Sequence, residues 1–222
     1  MDTSAFLNLL FSSSPLLPGS MVTWLSLHLG WAVVLGSGVW LICNWLLPRY
    51  RGVLALLVLL WTLLPNAASP AFWLGLAFQS PSLMSVVLCV GWLMPRPGRE
   101  PVVAADAQAQ KILLVLGTVL GWVLLLDTLA WLPVSIYAWG FGSSAVALAL
   151  VLAMLLWLLI GFPVSALLLV VLALFVLTRA PTGNLWDALL DPLLWLALQF
   201  GWLFNVARRH WRSRRPSPAT RV

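Results

Sequence analysis

Charge is what this chain has least of. Twelve Lys and Arg and six Asp and Glu serve 222 residues, so 8% of the chain is charged. A soluble domain carries about 25%. So few charges cannot cover a soluble globule of this size, which excludes that class. Lysine is scarcer still, with Lys111 alone against eleven arginines. Histidine and cysteine each occur twice. Cys43 and Cys89 lie inside apolar runs with no partner at ligand spacing. That excludes a disulfide framework and a cysteine metal site, and reads them as small buried hydrophobes. There is no His-x-x-x-His, no phosphate-binding loop, no Gly-x-Ser-x-Gly and no paired carboxylate. A single intramembrane histidine without Cys-x-x-Cys-His argues against haem. No cofactor, metal or catalytic residue is expected, and an enzyme is disfavoured.

What is present is hydrocarbon. The chain is 62% hydrophobic, with a mean hydropathy of +1.01. Apolar runs long enough to cross about 30 Å of bilayer at 1.5 Å per residue read as membrane spans. The expected fold is an all-α integral membrane protein, a polytopic bundle of about seven transmembrane helices. The spans fall near 22–47, 52–64, 70–94, 112–132, 143–160, 164–178 and 192–207. Residues 1–21 form an outer segment without the basic start of a signal peptide, 22–207 the helical domain, and 208–222 a basic tail. The run 52–64 is short for a span. The run 70–94 fits one helix kinked at Pro81, or a re-entrant piece over 70–78 between two short helices; the kinked helix is favoured.

Basic residues orient this bundle. They cluster at Arg49 and Arg51, at Arg96, Arg99 and Lys111, and in a tail with Arg208, Arg209, Arg212, Arg214, Arg215 and Arg221. Basic loops beside a span resist translocation, so these clusters mark the cytoplasmic side. The N-terminus is then outside, the C-terminus is cytoplasmic, and only Arg179 lies outside, beside Asp187 and Asp191. The tail follows a span directly, which favours anionic lipid headgroups over nucleic acid. The arginine, leucine and alanine bias points to a bacterium and hence to its inner membrane.

Tryptophan is abundant, with fifteen residues. Trp45, Trp92, Trp131, Trp139, Trp186, Trp195 and Trp211 fall near expected membrane boundaries, where amphipathic rings favour the headgroup level. Trp24, Trp31 and Trp45 are spaced by sevens, with Gly38 in the gap, which suggests one helix stripe. Small residues recur four apart at Ala32 and Gly36, at Gly117 and Gly121, and at Ala145, Ala149 and Ala153. Such faces permit close helix approach, within the chain or with a partner.

Ionisable groups in hydrocarbon are candidates for function. His28 and Asp127 both fall in the outer half of the bilayer and could meet as an acid–imidazole pair, relaying protons or holding a polar headgroup. The interrupted stretch 65–82 offers Asn66, Trp73 and Gln79 as further substrate-binding candidates, because unwound backbone in transporters exposes polar groups. Asn44, Gln199 and Asn205 read as interhelical glue. The favoured function is a non-catalytic membrane subunit or assembly partner of a larger envelope complex, alongside other membrane subunits or itself. The alternative is a small transporter or flippase for an apolar or amphipathic molecule.

Overall fold

In the computed structural model the described residues are 17–93, 107–160 and 162–213, with side chains in 17–93, 111–159 and 165–204. Among them every regular element is helical. The first helix, α1 (Ser20–Leu46), stops before Pro48, and a tight turn over 47–50 leads into α2 (Arg51–Thr62). Arg51 fastens this turn. It donates to the Asn44 side-chain oxygen and lies 4.7 Å over the Trp40 ring. The backbones of α1 and α2 approach closely because Gly36 faces the Ala55 carbonyl.

A one-turn 3-10 segment (Asn66–Ala68) leads to α3 (Pro70–Phe78). Ser69 caps α3 by accepting from the Ala71 amide, and Pro70 fills the first-turn position that needs no donor. The next helix is α4 (Leu83–Leu93). The expected single kinked helix over 70–94 is therefore two helices. Gln79 has φ 62°, ψ −154°, a glycine-favoured backbone region that a continuous helix cannot contain. Pro81 supplies no backbone donor, and Ser82 restarts the helix by accepting from the Ser85 amide.

After the segment outside the described residues come α5 (Ala107–Thr128), the short α6 (Ile136–Trp139) and α7 (Ser143–Ile160). They are followed by α8 (Phe162–Thr178), the short α9 (Leu185–Leu189) and α10 (Pro192–Ser213). Helix α1 packs on α2, α3 and α4; α4 reaches across to α8 and α9; α7 pairs with α8, and α5 with α10. The core lies between α7, α8 and α9, where Ala145, Ala149 and Ala153 let Phe175 and Leu172 approach. Gly117 and Gly121 likewise face Leu198 and Trp195 of α10. All three small-residue faces are thus filled within the chain.

Two helices, Ser20–Leu46 and Lys111–Thr128, are long and apolar enough to cross a membrane by length and composition. The other apolar helices are shorter as described. Much of the surface is hydrocarbon, from Trp45 at 87% exposure to Leu159 at 78%. The tryptophan stripe of α1 divides: Trp31 is 2% exposed, whereas Trp24 and Trp45 face outward. A straight helix drifts about 20° per heptad, so a seven-residue repeat need not hold one face. Trp31 is instead fixed inside, donating from Nε1 to the Gln79 carbonyl at 2.9 Å.

Candidate functional site

His28 is 4% exposed, and its ring stacks on Trp24 at 4.4 Å. Its Nδ1 lies 3.1 Å from the Trp24 carbonyl, and a carbonyl can only accept. In the neutral ring Nδ1 therefore carries the proton, which leaves a lone pair on Nε2. That Nε2 is buried and has no hydrogen-bond partner among the described residues. Asp127 is engaged elsewhere, accepting from the Tyr137 backbone amide at 2.6 Å. No hydrogen bond joins His28 to Asp127, so the structure does not make the acid–imidazole pair.

The candidates in 65–82 act through their backbones or as props. Asn66 has φ 56°, the left-handed region that asparagine tolerates, and its carbonyl accepts from the Ser69 amide. Trp73 is exposed and donates to the Ala67 carbonyl at 2.9 Å, as Trp61 does to Ala68 at 2.8 Å. The Gln79 side chain is exposed, and its carbonyl receives Trp31. Ser69 ties the turn to α2 by donating to the Thr62 carbonyl. These residues shape a bend and do not converge on one point. Of the expected headgroup arginines, Arg208, Arg209 and Arg212 fall on α10 with side chains outside the described residues. Arg214 and Arg215 lie outside them altogether.

The polar centre lies elsewhere, where 179–191 is folded inward. Sequence reading places this segment in an outer loop. In the structure Arg179, Asn184, Leu185, Ala188 and Asp191 are all buried. Asp191 caps α10, with Oδ1 accepting from the Leu194 amide at 2.8 Å. Its Oδ2 accepts from the Ser82 amide at 2.9 Å, the Ser82 hydroxyl at 2.7 Å and the Ser85 hydroxyl at 2.5 Å. One carboxylate thus joins the N-termini of α4 and α10, where the helix dipoles also favour negative charge.

A second network sits beside it. Asp187 Oδ2 accepts from the Tyr137 hydroxyl at 2.8 Å and from Thr182. Burial first, then the Asp187 carboxylate, pushes the Tyr137 hydroxyl well above its ordinary value, so it remains a donor. Asn184 caps α9 through the Trp186 amide and donates to the Tyr137 carbonyl at 3.0 Å. Trp186 donates to the Ile136 carbonyl, and the Leu185 amide to Gly140. Trp186 is therefore a lock between segments. Arg179 lies 5.2 Å over the Phe175 ring, and burial lowers its guanidinium from the ordinary value without discharging it.

Chemically, these carboxylates bind the chain's own amides and hydroxyls. No three His, Cys, Asp or Glu residues come together to hold a metal among the described residues. The sequence signals for the missed residues were local: Ser82 three before Ser85, Asn184 ahead of an apolar turn, and Asp191 before Pro192. Each is a helix-start pattern. The chain matches no protein-family model, no curated protein and no solved structure.

Proposed function

We propose that this chain is a non-catalytic subunit or assembly partner of a larger bacterial envelope complex. In this reading it is inserted in the inner membrane by about seven spans. One observation supports the subunit reading above all: Asp127, Asp187 and Asp191 each bind the protein's own backbone or side-chain donors. Acidic groups so engaged serve architecture. The membrane reading rests on the broad apolar exterior and on helix lengths. At 1.5 Å per residue, the 18 and 17 residues of α7 and α8 reach about 27 and 26 Å, close to a hydrocarbon core. The basic tail then meets anionic headgroups on the cytoplasmic face.

Mild-detergent purification from native membranes, followed by mass spectrometry, tests the function. Stoichiometric protein partners are the expected result. A lone protein holding a specific lipid or small molecule overturns it in favour of a small transporter. That second reading draws on the unpartnered His28 Nε2 and the break between α3 and α4. It requires His28→Ala to abolish transport in a protein that still inserts. Topology has a separate test. A reporter active only in the cytoplasm should be active when fused after Val222, and a reporter active only outside should be silent there; the reverse result overturns the orientation.

A further inference from the structure

A groove of about 360 Å³ runs along the seam between α5 and α10. Its walls are apolar, formed by residues such as Val115 and Leu203, with Thr118 and Gln199 as the polar members. The packing of the two helices fixes the levels. Gly121 meets Trp195, Gly117 meets Leu198, and Trp195 donates to the Thr118 carbonyl at 3.3 Å. Thr118 and Gln199 therefore lie at one height. Trp122 lies about one turn to one side of them and Trp202 about one turn to the other. The Thr118 hydroxyl oxygen is buried without a partner, and the Gln199 amide makes no hydrogen bond among the described residues. The surrounding Val119, Leu196 and Phe200 are exposed.

The inference rests on the reading that α5 and α10 cross a membrane. An amide in hydrocarbon then lacks water as well as a protein partner, and such groups draw helices together. The groove has room for a few side chains, not for a whole helix. We infer that this seam is the interface with a second copy of the chain, paired through Gln199. Two copies inserted in the same direction and related by a two-fold axis along the membrane normal place every residue at the depth of its own equivalent. Placing that axis beside Gln199 brings the two amides together. An amide both donates and accepts, so the pair satisfies itself. Any other partner would have to bring a polar group to that depth by its own design.

The test begins with alkaline extraction of membranes, which should leave the protein in the bilayer; release would overturn the membrane reading independently. Gln199→Cys is then placed in a Cys43→Ala, Cys89→Ala background and oxidised in native membranes. A disulfide-linked dimer is expected. Leu158→Cys, on the exposed face of α7, should give none. Native mass spectrometry of the unaltered chain in mild detergent should show the dimer without any substitution. Gln199→Leu should shift its dissociation roughly tenfold toward monomer, and Gln199→Asn should restore it. A monomeric unaltered chain, equal cross-linking at both positions, or a cross-link from Gln199→Cys to a different protein would each overturn the proposal. So would a monomer holding a lipid that Gln199→Leu releases.

Discussion

Asp191→Ala should lower the unfolding midpoint of the detergent-purified protein by about 6–12 °C, for a loss of roughly 3 kcal/mol in a chain of this size. The size follows from what is left behind. The Ser82 and Ser85 hydroxyl oxygens lie 2.9 Å apart, so with the carboxylate gone one can turn and donate to the other. The Ser82 amide cannot turn. It is buried, and among the described residues its only acceptor is Asp191 Oδ2. A stranded buried donor costs about 1–3 kcal/mol. Loss of the α10 cap at the Leu194 amide adds about 1 kcal/mol.

Asp191→Asn separates the two ends of the clamp. An amide oxygen at the Oδ2 position keeps the Ser82 and Ser85 bonds, but its NH₂ then faces the Leu194 amide, donor against donor. The expected loss is close to the cap alone, about 1 kcal/mol. Ser82→Ala should fall between the two, since its backbone bond survives. A second readout follows from the position of Cys89 on α4, partly buried. With Cys43 replaced by alanine, Asp191→Ala should speed alkylation of Cys89 because the start of α4 is no longer tied to α10. An unchanged midpoint and an unchanged alkylation rate would show that the clamp contributes little.

The helices were legible because their cause is local. Apolar runs, prolines at 48, 65 and 192, and small-residue spacings all act within a few residues, and they located the helices that form. The break at 79–82 was harder. Pro81 signals a kink, but the positive φ of Gln79 is fixed by Trp31, 48 residues away, holding its carbonyl. The buried 179–191 segment was illegible for the same reason. Its charges read as an exposed loop, because nothing near Asp191 reveals that its partners are Ser82 and Ser85, more than a hundred residues earlier. His28 and Asp127 stand out in the sequence as ionisable groups inside apolar runs. Each found a partner close in sequence, Trp24 and Tyr137, and composition could not choose between those and each other. The capping patterns at Ser82, Asn184 and Asp191 were visible as helix starts, but their convergence is a property of the fold.

Gly140→Ala should cost about 3 kcal/mol or more, from overpacking together with a broken buried network. The backbone there does not require glycine, since Gly140 has φ −60°. Space does. A methyl group at this position would lie 1.9 Å from Asn184 Oδ1 and 2.5 Å from Trp186 Cδ1. Asn184 is 0% exposed and has nowhere to retreat. Moving it strands the Trp186 amide, takes from the Tyr137 carbonyl one of its two donors, and loosens the Leu185 bond to the Gly140 carbonyl. The joint between 136–142 and 179–191 would open with it. Gly38→Ala supplies the control. An added Cβ there meets nothing within 4 Å, and the residue is mid-helix, so the change should be neutral or stabilising by up to about 1 kcal/mol. A double-mutant cycle isolates the cause. In an Asn184→Ala background Gly140→Ala should lose much of its effect, giving a coupling of about 1–2 kcal/mol between the two positions. Additive losses would mean that the methyl group strikes something other than Asn184, and the account of this joint would have to be rebuilt around Trp186.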